Sequence, residues 1–236
     1  MRILTHFEQR SPEWFEIRRG KLSMSRAKDL LTGGKGKTRA SYLLEVAAEI
    51  LAPGFEKDHF SNVHMQRGIE LETFAVDAYE MVTLEKVKHC GFVLADNDNI
   101  GCSPDGLTEK GGLEIKSPMP KNHLRYLDRD IVAAEHGAQI QGNMWVCERD
   151  TWDFVSFCPW VKHAPMIIHK FKRDEDTVKR LSDSALRGVD EVASLVEEAR
   201  KFAPPNNLQK NLQNIASEAI TAWQLLNAEY KGEVQL

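Results

Sequence analysis

The chain has 236 residues, 42% of them apolar and 28% charged, with a formal net charge of −4. This length is enough for one large domain with a substantial buried core, or for two small ones. The apolar runs are too short to cross a bilayer and the polar stretch Met1 to Arg10 holds no signal-type segment, so a cytosolic protein with no membrane role is expected.

Along the chain, Ser11-Pro12 reads as an N-cap and a proline at the first helical position, opening a short helix through Trp14, Ile17 and Arg18. Ser23 or Ser25 caps the next helix, which runs to Leu31. The Gly33-Gly34-Lys35-Gly36-Lys37-Thr38 stretch ends like a P-loop. However, Leu31 stands where the first glycine is needed, and a helix rather than a strand precedes it. It reads instead as a basic loop, either one whose Lys35 contacts phosphates or a plain solvated one. Helical patterns over 39–51 and 62–81 are separated by Pro53-Gly54. The periodicity then changes: 86–95, 98–103 and 111–117 are short, rich in Val, Ile and Leu, and bounded by Asp, Asn and Gly turn signals, as strands are.

A helix over 132–148, strands near 151–158 and 165–172, and an amphipathic helix over 175–202 follow. Pro204-Pro205-Asn206-Asn207 is a linker, and a last helix covers 208–230. There Ile220, Trp223 and Leu226 recur every third residue, either as the buried stripe of a docked helix or as a partner-binding face. The order predicts an α/β fold with a central mixed β-sheet flanked by helices. A domain over 1–203 would be followed by a helical extension, 204–236, packed on that domain or on a partner.

The scattered Cys90, Cys102, Cys147 and Cys158 form no Cys-x-x-Cys pair and read as buried free thiols. The eight histidines lack the spacing of zinc ligands. The slight net acidity does not advertise a polyanionic partner. Carboxylates that hold cations nevertheless lower the sum while basic residues cluster elsewhere.

Chemistry concentrates in Gly101-Cys102-Ser103-Pro104-Asp105-Gly106 and Gly111-Gly112-Leu113-Glu114-Ile115-Lys116. Asp105-Gly106 and Gly111-Gly112 are turn formers, which places Asp105 at the end of one strand and Glu114 inside the next. Residues i and i+2 of a strand share a face, so Glu114 and Lys116 point the same way and strand pairing can bring Asp105 beside them. Two carboxylates and an amine suit phosphodiester hydrolysis. Hard divalent cations take oxygen ligands, a bound metal polarises phosphoryl groups and activates water, and an ammonium offsets charge in the transition state. The backbone carbonyl of Ile115 is a further candidate ligand. The alternative for the same residues is an exposed hairpin with a surface Glu/Lys pair.

Pro104-Asp105, eight residues, then Glu114-Ile115-Lys116 fits the PD-(D/E)XK nuclease pattern. With its flanks it resembles the phage lambda exonuclease family of YqaJ-like viral recombinases. The likeness is colinear over roughly residues 12–158. It includes Trp14 with Ile17-Arg18-Arg19-Gly20 and Ser23-Met24-Ser25, Gly68-Ile69-Glu70-Leu71-Glu72, and Ala138-Gln139-Ile140-Gln141 with Met144-Trp145.

The resemblance implies a restriction-endonuclease-like core and assigns catalysis to Asp105, Glu114, Lys116 and Glu72. Metal would be held by Asp105, Glu114 and the Ile115 carbonyl, with two Mg²⁺ ions, or Mn²⁺ in their place. Arg18, Ser25, Ser103 and Gln139 fall at positions of the cleft and the terminal 5′-phosphate, and Met65 at a wedge that unpairs the DNA end. Related nucleases often carry a tyrosine after the late-helix glutamine. Here Gly142, Asn143 and Trp145 fill that region, a departure that bears on the detailed role of Gln139, or of Gln141. Of Glu70 and Glu72, two apart on a helix, only one can face the site, and the glycine spacing selects Glu72.

The expected activity is 5′-to-3′ removal of mononucleotides from one strand of linear duplex DNA, leaving 3′ overhangs for phage-type recombination. The resemblance also implies a homotrimer, a single-strand annealing partner, and the cytosol of a bacterium or phage-infected host. The alternatives are a restriction or junction-resolving endonuclease with the same core, and an inactive DNA-binding or assembly module.

Overall fold

Ser11 opens the first helix as its spacing predicts. Its hydroxyl accepts the Trp14 N–H, Pro12 follows at the first helical position, and α1 runs Pro12–Arg18. The computed structural model describes residues 1–32, 37–53, 55 and 63–233. Strand β1 (Arg2–Leu4) precedes α1; β2 (Leu22–Ser23), a 3₁₀ turn over Met24–Arg26, α2 (Ala27–Leu31), α3 (Lys37–Leu51) and α4 (Val63–Thr83) follow it. Strands β3 (Phe92–Leu94), β4 (Ile100–Cys102), β5 (Gly106–Leu107) and β6 (Gly112–Lys116) lead to helices α5 (Pro120–Arg125) and α6 (Arg129–Val146). Strands β7 (Thr151–Phe157) and β8 (Met166–Lys172) precede the long helices α7 (Glu175–Arg200) and α8 (Asn206–Glu233).

The strands form two four-stranded mixed sheets, ordered β1-β3-β4-β2 and β5-β6-β7-β8, where the sequence pattern predicts a single central one. The interruption falls at Ser103-Pro104-Asp105. Pro104 has no N–H for a ladder, and pairing resumes only at Gly106. The segment predicted as a strand from residue 86 is irregular up to β3, apart from one antiparallel bridge between Lys88 and Leu107. In the second sheet β6 pairs antiparallel with β5 and parallel with β7, with Glu114 opposite Phe154 and Lys116 opposite Ser156.

The two faces of β6 have different neighbours. Leu113 and Ile115 pack with Val155 under Ala75 and Tyr79 of α4. Glu114 and Lys116 take the opposite face, where α6 lies. The strand is therefore enclosed on both sides, and Glu114 is only 1% exposed. Helix α6 is tied down beyond the site by Gln141, whose amide donates to the Lys172 carbonyl (2.9 Å) and accepts from the Asp174 N–H (2.9 Å). All four cysteines are buried free thiols, as their scatter predicts.

Gly112 admits β6 against the fully buried ring of Trp152, since a Cβ there would lie 2.4 Å from Cη2. Gly112→Ala is expected to cost about 1–3 kcal/mol through overpacking. Urea unfolding measures this, and an unchanged midpoint would contradict the packing.

Two units divide the chain, Met1–Ser194 and Leu195–Leu236. The first contains both sheets and every residue discussed below as part of the site. In the second, α8 carries exposed Ile215, Ile220, Trp223 and Leu226. Among the described residues no helix is long and apolar enough to cross a membrane.

Candidate active site

The irregular Ser103-Pro104-Asp105 link between β4 and β5 brings Asp105 beside β6. The Asp105 N–H donates to the Leu113 carbonyl (3.3 Å), and its Oδ2 accepts the Ile115 N–H (2.6 Å). The Ile115 backbone thus lies between Asp105 and Glu114 along the strand. Lys116 Nζ donates to Glu114 Oε1 at 2.5 Å, as the i, i+2 spacing predicts. Glu114 Oε2 accepts from Gln139 Nε2 (2.7 Å) and Asn143 Nδ2 (3.4 Å), one turn apart on α6.

Gln139 therefore faces the site, whereas Gln141 serves the β8–α7 junction. Asn143 joins Gln139 at the site, and the sequence signal for it is its i+4 spacing from that glutamine on α6.

Burial and the neighbouring carboxylates of Glu114 and Glu72 push the Asp105 carboxyl up to about 8, against the opposing pull of Lys116. Burial alone would lower the Lys116 ammonium, but Glu114 and Asp105 outweigh it and hold the amine well above its ordinary value. Lys116 is accordingly a fixed positive donor. It is no proton acceptor at neutral pH.

Glu72, on α4, is close enough to raise Asp105, and its carboxylate pairs with Arg10 Nη2 at 2.9 Å. Glu70 takes a hydrogen bond from Gln66 instead (3.2 Å). Among the described residues no group of three or more His, Cys, Asp or Glu side chains is gathered into a ready metal cage. The donor set still fits a hard cation. It consists of oxygens only, the ligand type such a cation takes, and burial together with the Glu114 and Glu72 carboxylates raises Asp105 where a bound cation would offset them.

A second cluster adjoins the first through Ser103. Arg18 Nη1 donates to Ser103 Oγ (2.8 Å) and Nη2 to Ser23 Oγ (3.3 Å), and Ser23 Oγ lies 3.0 Å from Ser25 Oγ. Ser103 Oγ also accepts from Trp14 Nε1 (3.0 Å), and the Arg18 guanidinium stacks 4.1 Å above the Trp14 ring centroid. Burial lowers the Arg18 pKa. No carboxylate forms an ion pair with Arg18 among the described residues. A partly buried cation whose direct contacts are neutral hydroxyls and the rings of Trp14 and Phe92 can take an anion.

The structure thus brings Asp105, Glu114, Lys116 and Gln139 into one cluster, with Glu72 near enough to act on Asp105 but paired with Arg10, and joins Arg18, Ser25 and Ser103 in the next. Lys35 lies outside the described residues. Met65 belongs to α4, but its side chain is also outside them. Ser23, which the sequence offers as a helix cap and as part of the family segment, and Arg10 also reach these clusters, through contacts that depend on long-range folding.

A family model described as the YqaJ-like viral recombinase domain matches residues 13–150. Among solved structures, an alkaline exonuclease (LHK-Exo) from Laribacter hongkongensis is 28% identical, with a TM-score of 0.73 over 82% of this chain and 98% of that one. LHK-Exo in complex with dAMP aligns at 29% identity with the same TM-score and coverage. A phage related exonuclease from Haemophilus somnus 129PT is 19% identical, with a TM-score of 0.61 over 76% of this chain and 96% of that one, and shares the fold. No curated protein matches the chain in sequence.

Proposed function

The chain belongs to the YqaJ-like viral recombinase domain family, and on that premise we propose that it is a Mg²⁺-dependent 5′-to-3′ exonuclease. It degrades one strand of linear duplex DNA to mononucleotides and leaves a 3′ overhang. The likeness to an alkaline exonuclease at 28% identity supports the nuclease assignment.

One observation carries the polarity. Arg18, with no carboxylate ion pair among the described residues, shares Ser103 with Trp14, and Ser103 stands two residues before Asp105. A pocket of this kind accepts a terminal 5′-phosphate monoester and sets the first phosphodiester toward the carboxylates. An internal phosphodiester lacks the second charge that fills it.

In this reading Asp105, Glu114 and the Ile115 carbonyl hold two Mg²⁺ ions, with Glu72 contributing from α4 and Mn²⁺ able to replace magnesium. Bound metal supplies Lewis acidity and a water of lowered pKa. Lys116 offsets negative charge on the phosphoryl oxygens and holds one oxygen of Glu114 by its hydrogen bond. Gln139 and Asn143 fix the rotamer of Glu114 by occupying its other oxygen. Ser25 extends the hydroxyl lining beside Arg18, and Lys35 and Met65 serve the DNA backbone and the unpairing of the end.

The 3′ overhang suits a single-strand annealing protein as partner in recombination. The exposed apolar residues of α8 suit assembly into a homotrimer.

Digestion of a linear duplex labelled at either end, with 5′-phosphate or 5′-hydroxyl termini, tests the proposal. Loss of label should begin at 5′ ends and run about tenfold faster on phosphorylated ones, a preference that Arg18→Ala should erase. Degradation from 3′ ends, or cutting of covalently closed circles, would overturn it.

A further inference from the structure

Arg10 stands apart from the site residues read from the sequence, yet the fold holds it at the active centre. Its backbone has φ +71°, the left-handed region that a residue with a Cβ occupies only at a cost. The residues on either side are pinned. Gln9 donates its amide to the carbonyls of Pro104 (2.7 Å) and Cys90 (3.0 Å), and Ser11 caps α1. The segment is thereby fastened to the residue immediately before Asp105. A turn needing only this backbone geometry would favour glycine or asparagine. Here the position carries a long cation whose Nη2 lies 2.9 Å from Glu72 Oε2.

Only one nitrogen of that guanidinium is engaged among the described residues, and the side chain is 41% exposed. A guanidinium carries five N–H donors in a planar fork that matches phosphate oxygens. It stands beside a carboxylate in range of Asp105, where Glu72, Asp105 and Glu114 outnumber the single ammonium of Lys116.

We propose that Arg10 is a DNA-binding residue of this site: with one side of its guanidinium on Glu72, it offers the other to a backbone phosphate of the DNA strand entering the cleft. It recognises phosphate and not base, so its contribution is independent of sequence. The strained turn adds a second positive charge to that of Lys116, where three carboxylates face an incoming polyanion.

The inference rests on the nuclease reading above, and binding measurements separate the two. The full-length protein is titrated against a labelled 5′-phosphorylated duplex over a series of salt concentrations. Ca²⁺ replaces Mg²⁺, because its looser coordination occupies carboxylates while the strand survives. Arg10→Asn, which tolerates the left-handed backbone, should weaken binding about three- to tenfold for every sequence tried and reduce the slope of log K against log salt by about one. Arg10→Lys, which keeps the charge, should restore that slope. An unchanged slope in Arg10→Asn, or an equal loss in Arg10→Lys, overturns the assignment of Arg10. A wild-type protein that binds no duplex overturns the nuclease reading itself.

Discussion

Asp105→Asn is expected to abolish hydrolysis while making the metal-free protein more stable at alkaline pH. The Asp105 carboxyl is pushed up to about 8 by burial and by Glu114 and Glu72, from an ordinary value of 3.8. Between about pH 4 and pH 8 the folded state therefore keeps a proton that the unfolded chain has released, and stability falls as pH rises through that window. Asparagine has no proton to lose, and its side-chain oxygen can still accept the Ile115 N–H.

The variant and wild type should unfold alike below about pH 4 and diverge up to about pH 8. Above that the variant should be more stable by about 2 kcal/mol, allowing for solvent around a half-buried group. Divalent metal should raise the thermal midpoint of the wild type and leave that of the variant nearly unmoved. Hydrolysis should fall by about a thousandfold or more, because one ligand of the cation is lost. Thermal melts across pH, with and without Mg²⁺, and single-turnover digestion provide the measurements. A stability gap that does not widen with pH, or a variant that keeps a tenth of the activity, would refute this account.

Lys116→Met has the next largest expected effect, through a different route. The Lys116 ammonium is held charged by Glu114 and Asp105 against the opposing effect of burial, and it is 2.5 Å from a Glu114 carboxylate that is almost wholly enclosed. Methionine preserves the stem and removes the charge. Turnover should drop about 10²- to 10⁴-fold, since a positive donor near the reacting phosphoryl group is lost. Duplex affinity in Ca²⁺ should change by no more than about threefold, as for a group acting mainly in the transition state. Stability at neutral pH should fall by about 1–2 kcal/mol, a reduced figure because Lys116 itself is 37% exposed. A slow rate accompanied by an equally large loss of DNA affinity would instead make Lys116 a binding residue.

The sequence revealed the parts of the site whose geometry is local. Asp105, Glu114 and Lys116 could be associated from turn residues and the two-residue repeat of a strand, and α1 from its cap. Long, periodic helices such as α6 and α7 were likewise readable. Elements whose existence depends on a distant partner were not. Strand β1 has three residues in a polar stretch and is defined by pairing with β3, while α5 is too short to show a periodicity. The division into two sheets depends on where Pro104 interrupts pairing, which composition does not mark. Asn143 and Arg10 become neighbours of the carboxylates only once α6 and the Gln9–Ser11 turn have packed. The separate duties of Gln139 and Gln141 follow from which way each points on α6.

The tripeptide Ser103-Pro104-Asp105 also works as a ruler. Its first member belongs to the anion pocket and its last to the carboxylate cluster, and proline stiffens the interval between them. Two residues of extended chain span at most about 7 Å, of the order of a single nucleotide of DNA backbone. If the chain is the exonuclease proposed above, this interval would set the length of each bite, and a residue inserted after Ser103 should shift the products from single nucleotides toward longer fragments.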